Sequence, residues 1–364
     1  MVSQVNFSRR IYALDGLRGL AALVVVIHHH FLTIPWFSQR ELNPVPPFEY
    51  PRNFSDYRFL LEYTPLRLIH SGSEAVVLFF VISGYVLIFS LENNFASYVR
   101  RRLFRLYIPI LGSLLLAVLL LLFFPRQTNQ LNSDWVNSQV FKISNLELMR
   151  DIWVLDGSTK LASHLWSMRL EILFSLFIMI FAGIKFKTDS RLFLCFVSLM
   201  FALIFSGSET SLSLLNYLPI FIAGTCLHML RKTKRFVYFR LILGVNILIS
   251  FWYFAAFGIH LNLGSHNLLM TIGALIIVDV CRSDSNKIIC FLESKRIQIL
   301  GKYSYSLYLV HLPILLSVWF RFGTPMGLSD FIVQVTLSTI LIIIFTKGIY
   351  ILFELPALKY SRKV

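Results

Sequence analysis

Arg18 and His29 stand eleven residues apart inside one apolar run, Leu14 to Thr33. A span of that length can cross a bilayer, and a guanidinium or imidazole inside it is costly unless it faces a protein interior or a water-filled cavity. At about 100° per residue, eleven positions return to within roughly 20° of the start, so the two side chains share a face about 16 Å apart along the axis. Asp15 falls within about 60° of both, while His28 and His30 point roughly 100° to either side. The spacing thus singles out His29 from a run of three. An imidazole so placed suits proton transfer near neutral pH, and a guanidinium suits a developing oxyanion.

Other apolar segments carry polar residues of the same kind. His164 and Glu171, in Ser163-His-Leu-Trp-Ser-Met-Arg-Leu-Glu171, lie two turns apart on one face. Glu171 is read as functional or as paired with Arg169, Arg18 or Lys347, a cross-helix partner fitting better because Arg169 faces away from it. Phe79-Phe-Val-Ile-Ser-Gly-Tyr85 places Ser83-Gly84 where helices can pack closely or break. Arg102 and Arg105, three apart, sit on neighbouring positions of a face; arginine forks suit phosphate, though basic residues there also serve as plain membrane anchors. His311, in the run from Gly301 through Lys302 and Tyr303 to Pro313, reads as a buried, hydrogen-bonded histidine. Lys347 and Glu354 share a face near a boundary, where pairing or snorkelling explains them.

The elements that must position these residues follow from composition. The chain has 364 residues, 56% of them hydrophobic and 15% charged, with mean hydropathy +0.69, which excludes an ordinary soluble domain. Ten apolar segments are expected to be helices, at 14–33, 75–91, 106–124, 164–184, 191–206, 212–230, 237–258, 264–281, 305–321 and 329–353. An even number puts both termini on one side. The termini and loops on that side hold 22 of the 34 Lys and Arg, against nine in the opposite loops, so the termini are expected to be cytoplasmic. The net charge of +15 is thereby a topology signal, and no nucleic-acid partner is expected. The fold class is all-α and polytopic, a single membrane domain over 1–364 without a soluble accessory domain. Its first span, too long for a signal-peptide core, is expected to stay in the mature protein. Two long outer loops, about 34–74 and 125–163, hold aromatics that suit a sugar platform or an interfacial belt. The four cysteines show no metal spacing and read as packing residues, and no metal is expected.

In their order along the chain, these motifs resemble the membrane-bound acyltransferase 3 family of bacterial sugar O-acyltransferases. Leu14-Asp-Gly-Leu-Arg18 with His29 is similar to its first-helix signature, Phe79–Tyr85 to its second, the arginines 100–105 with Pro109 to its third, His164–Glu171 to its fourth and Gly301–Pro313 to its ninth. In the fourth, Arg169 stands where a small residue is usual and Ile172 where a second acid is usual; the third carries one extra residue before Pro109. The resemblance implies transfer of an acyl group, usually acetyl, from cytoplasmic acyl-CoA to a hydroxyl of a cell-envelope saccharide. It implies a location in the bacterial inner membrane, and that Arg18 and His29 are essential. On that basis His29 is expected to be the general base, Glu171 to orient it, Arg18 to meet the oxyanion and Asp15 to fix Arg18. Arg102, Arg105, Lys302 and Tyr303 would hold the donor, and His164, Trp166, Ser83 and Tyr85 the acceptor. Acyl-CoA enters as co-substrate, with no bound cofactor. Two other readings stay open: a transporter or flippase of a lipid-linked sugar, and an acyltransferase with a small hydrophobic acceptor.

Overall fold

A computed structural model describes residues 11–42, 57–90, 95–141, 145–153, 161–183, 213–230, 232, 235–257, 259, 261, 263–283, 286–325 and 327–363. Every regular element among them is helical. The longer helices are α1 (Tyr12–Leu32), α2 (Gly72–Leu87), α3 (Phe95–Phe123), α4 (Trp166–Gly183), α5 (Ser213–Cys226), α6 (Val237–Leu248), α7 (Leu263–Cys281), α8 (Lys295–Phe322) and α9 (Leu328–Ile349).

Nine of the ten expected segments meet a helix; the segment 191–206 lies outside the described residues. The bounds differ where polar residues join a helix. Helix α3 begins at Phe95 and α8 at Lys295, because the arginine-rich and lysine-rich stretches continue the helical ladder below the apolar run. The segment 237–258 is instead two helices, Val237–Leu248 and Ser250–Ala256, bent by 54°. Helix α9 passes through a π-helical turn, Tyr350–Glu354, into Leu355–Lys363. By length and composition four helices among the described residues can cross a membrane: Ala96–Phe123, Gly264–Cys281, Lys295–Phe322 and Leu328–Ser361. The bent pair makes a fifth if it is one span.

Helix α1 packs chiefly on α8. A carbon added at Gly19 would lie 2.5 Å from the Gly301 nitrogen, and one added at Gly301 would lie 2.4 Å from the Asp15 carbonyl oxygen. Two backbones approach that closely only where Cβ atoms are missing. Farther along, His29 meets His311. Gly19 and Gly301 are separated in sequence by the same 282 residues as His29 and His311, so the helices run parallel and side by side. Helix α3 runs with them, tied by Tyr305 Oη to the Leu106 carbonyl at 2.7 Å and by Ser113 Oγ to the Leu309 carbonyl at 2.6 Å. Helices α2 and α9 run the other way. Gly72, at the start of α2, abuts the His28 ring, and α9 reaches from Ser338 beside His30 down to Glu354 beside Ser306. The bundle therefore has a histidine end and a glycine end.

Gly301→Ala is expected to lower the melting temperature of the detergent-solubilised protein, overpacking here costing about 1–3 kcal/mol. Gly348→Ala, with nothing within 4 Å of the added carbon, is expected to leave it unchanged or to raise it by up to about 1 kcal/mol. Equal thermal shifts for the two variants would contradict the close crossing.

Candidate functional site

The three consecutive histidines do three different jobs. His28 is buried and its Nδ1 donates to the His70 carbonyl at 2.8 Å. His70 closes the short 3-10 turn Pro65–His70, where burial and then the Arg67 guanidinium push its own imidazole down to about 4. His30 is also buried, its Nδ1 on the Val26 carbonyl and its Nε2 2.8 Å from Ser338 Oγ. His29 alone of the three stays partly exposed. Its ring lies 4.9 Å from that of His311 and 5.5 Å from that of Trp135, centroid to centroid. His311 in turn lies 5.0 Å from the ring of His164. Below them the Tyr308 hydroxyl donates to the His164 carbonyl at 3.0 Å and meets Ser167 Oγ at 2.6 Å.

Backbone carbonyls fix where the protons sit. A carbonyl only accepts, so a ring nitrogen facing one must carry the hydrogen. His311 Nδ1 faces the Tyr308 carbonyl at 2.6 Å and is the protonated nitrogen. Its Nε2, 3.2 Å from His29 Nδ1, then holds a lone pair. His29 Nδ1 also faces the Val25 carbonyl, at 2.9 Å, and so donates to both. The lone pair of His29 is left on Nε2. Pro313 sets the third ring by removing the amide that would bond the Leu309 carbonyl four residues back. That carbonyl accepts instead from Ser113 Oγ and, at 3.1 Å, from His164 Nε2. His164 Nδ1 is left buried with a lone pair and no partner.

A second cluster lies toward the glycine end. Glu171 Oε1 accepts from Arg102 Nη2 at 2.8 Å and from Ser83 Oγ at 3.2 Å. Arg105 lies in the field of Arg18, Arg102, Glu171 and Glu354. Glu354, buried in the π-helical turn, accepts from Ser306. Such turns recur at functional sites. Glu171 is seven residues past His164, so this cluster sits about 10 Å from the histidines along α4. Lys302 projects over the rings of Tyr303 and Tyr350, at 5.0 and 5.1 Å.

The expected residues thus divide. His29 and His164 meet at one end; Arg18, Glu171, Arg102 and Arg105 gather below. Glu171 binds Arg102, and the side chain that His29 meets is His311. Ser83 and Tyr85 lie about 16 and 20 Å along α2 from Gly72 at the histidine end. Ser83 serves Glu171, and Tyr85 lies under the Arg282 guanidinium at 5.1 Å. Trp166 opens α4, its ring against Tyr217 at 5.1 Å. Three contributors beside the histidines were missed: Trp135, Tyr308 and Arg126. Arg126 is 4% exposed and reaches the Gln139 carbonyl at 3.3 Å. It lies in the field of His164, and burial lowers its guanidinium to about 10, still charged at neutral pH. Among the described residues no group of three or more His, Cys, Asp or Glu is placed to hold a metal ion.

An all-helical bundle with helices long enough to cross a membrane, polar clusters inside it and a histidine pair at one end is the frame of a helical membrane enzyme. The family model described as an acyltransferase domain matches residues 11–351, nearly the whole chain, and the chain belongs to the acyltransferase 3 family. It is similar to the O-acetyltransferase PaAT-1 of Phomopsis amygdali, at 36% identity over 108 residues, 26% of this chain and 20% of that protein. It is also similar to the acyltransferase R4 of a Phoma species, at 34% over 83 residues, 20% of this chain and 18% of that one. The matches thus span about a fifth of either relative's length. No solved structure matches it.

Removing either partner of the Glu171–Arg102 pair leaves a charge in a confined site, at a cost of roughly 1–3 kcal/mol for pairs of this kind. Glu171→Ala and Arg102→Ala are each expected to lower the melting temperature, and the double variant to lose less than their sum. Additive losses would show that the pair is not coupled.

Proposed function

We propose that the chain is a membrane O-acyltransferase that moves an acyl group, acetyl first among them, from acyl-CoA to a hydroxyl of a cell-envelope saccharide. The observation that carries the reading is the Tyr308 carbonyl–His311–His29 relay, which leaves the lone pair on Nε2 of His29, a partly exposed residue. In this reading His29 Nε2 takes the proton of the acceptor hydroxyl. The oxygen attacks the thioester carbonyl, the C–S bond breaks, and the proton leaves on the CoA thiol. His311 is a positioning residue. His164 Nδ1, a buried lone pair, accepts from a second acceptor hydroxyl or from water.

The cation for the oxyanion is Arg126 in this reading. Arg18 stands about 16 Å from His29 along α1, too far to touch an oxyanion formed there, whereas the field of Arg126 reaches His164. Arg18, held by Asp15, instead joins Arg102, Arg105 and Lys302 in receiving the donor. Arg102 Nε is buried without a partner, and Arg105 and Lys302 are exposed. Phosphate oxygens of acyl-CoA supply what these groups lack, with Tyr303 beside Lys302 as an aromatic wall for the base. The positive-inside pattern of the sequence puts this end in the cytoplasm, where acyl-CoA is found, and the histidine end outside, in a bacterial inner membrane. No cofactor is bound in this scheme.

One observation favours a small hydrophobic acceptor. An apolar cleft of about 490 Å³ runs beside α1, lined by Leu20, Val24, Leu78, Val245 and Ile277 among others. It lies along the flank of α1 that carries His28 rather than His29, which ranks it second.

Purified protein in nanodiscs, given radiolabelled acetyl-CoA, is expected to release CoA in an acceptor-dependent way; a transporter would leave the thioester intact and respond to a proton gradient. His29→Ala is expected to cut turnover by about 10² to 10⁴. His311→Ala is expected to lower kcat with KM held; loss of the tautomer-setting partner costs up to about 10⁴ in a serine-protease triad. Arg126→Gln is expected to cost about 10² to 10³ in kcat. Full activity in His29→Ala would end this reading.

A further inference from the structure

A polar pocket of about 330 Å³ opens at the histidine end, between the loop that follows α3 and the end of α8. Its polar lining is amide and hydroxyl (Gln127, Thr128, Asn129, Asn132), with one cation, Arg321, and Trp319 in the wall. The loop is a built one. The Asn129 backbone amide donates to Asn137 Oδ1 at 3.1 Å, Asn137 Nδ2 returns a bond to the Asn129 carbonyl at 3.0 Å, and Thr324 Oγ1 donates to Asn132 Oδ1 at 2.6 Å. These bonds hold the amides at the mouth in fixed places.

One buried atom of the wall lacks a partner: Trp319, 1% exposed, has an Nε1 hydrogen with no acceptor. A donor left open beside side-chain amides and a hydroxyl suits a ligand bearing hydroxyls, which donate and accept through one atom. Phe123, Phe124 and Phe320 supply apolar faces for the C–H face of a ring. The pocket is also joined to the reaction centre. Trp319 and Trp135 belong to one buried cluster, and Trp135 packs on His29. Trp319 lies eight residues beyond His311 on α8, about 12 Å along the axis.

We propose that this pocket is a second sugar subsite, holding a ring of the acceptor that does not react while a neighbouring hydroxyl is presented to His29. The inference rests on the saccharide reading above. The ring enters with its hydroxyls on Trp319 and the loop amides, and Arg321 receives an acidic substituent where the ring carries one. A monosaccharide acceptor would leave the pocket unused.

The test uses the full chain in nanodiscs with three soluble probes: cellotriose, maltotriose and trigalacturonate. Saturation-transfer NMR reads binding without requiring turnover. At least one trisaccharide is expected to receive saturation, and Trp319→Phe is expected to weaken its binding about fivefold, the worth of one hydrogen bond. Because Trp319 is buried, the surface variant Gln127→Leu/Arg321→Leu is measured beside it and is expected to weaken binding at least as much. No transfer to any of the three, or signals unchanged in both variants, would overturn the subsite. Glycerophosphocholine giving an equally strong signal with the same dependence on these residues would overturn it too, by making the pocket a lipid-headgroup site. Binding with these dependences but no acyl transfer from acetyl-CoA would remove the acyltransferase reading and leave the pocket standing. Acyl transfer insensitive to both variants would do the reverse.

Discussion

The close parallel packing of α1 on α8 is the constraint from which the rest of the site follows. Gly19 and Gly301 let the two backbones touch, and parallel helices in contact stay in step with each other. Ten residues farther on, that step sets His29 against His311. A helix lying antiparallel, or held off by a pair of methyl groups, would bring different side chains to the same level. The glycines thus fix the chemistry from about 15 Å away, although neither lies near a reacting atom.

The second constraint is the cost of polar groups in an apolar bundle. Each histidine nitrogen that is satisfied is satisfied by a carbonyl, by a hydroxyl or by another ring. The partners of His29 Nδ1 are a carbonyl and a second ring, neither of them a carboxylate. Glu171 and Glu354 lie lower, where they offset the arginines. Pro313 contributes by leaving the Leu309 carbonyl open, and the ring of His164 takes its orientation from that opening.

Much of this was legible in the sequence. The eleven-residue interval selected His29 out of three histidines, and His28 and His30 do turn to other partners. Hydropathy located nine of the segments that meet helices, since a long apolar run has few other ways to satisfy its backbone in lipid. What escaped was pairing between helices. Periodicity orders residues around one axis and says nothing of which axis lies alongside, so the pairing of Glu171 with Arg102 is not legible in it. Ser83 and Tyr85 sit toward the glycine end, a position that the rise along α2 gives and the motif alone does not. Pro313 was visible beside His311, and a proline in a helix always frees a carbonyl; asking what fills it would have pointed to a polar partner. Arg126 carried no local signal, because its burial depends on a fold of the following loop.

In the proposed mechanism His311 fixes the tautomer of His29 and leaves Nε2 as the base. Nitrogen-15 NMR of ring-labelled histidine in the intact protein reads this directly, with His29→Ala and His311→Ala spectra to assign the two rings. The account predicts at neutral pH a protonated Nδ1 and an unprotonated Nε2 on His29, with a coupling or exchange contact between the rings that disappears in His311→Ala. A His29 ring protonated on Nε2, or on both nitrogens, would contradict it.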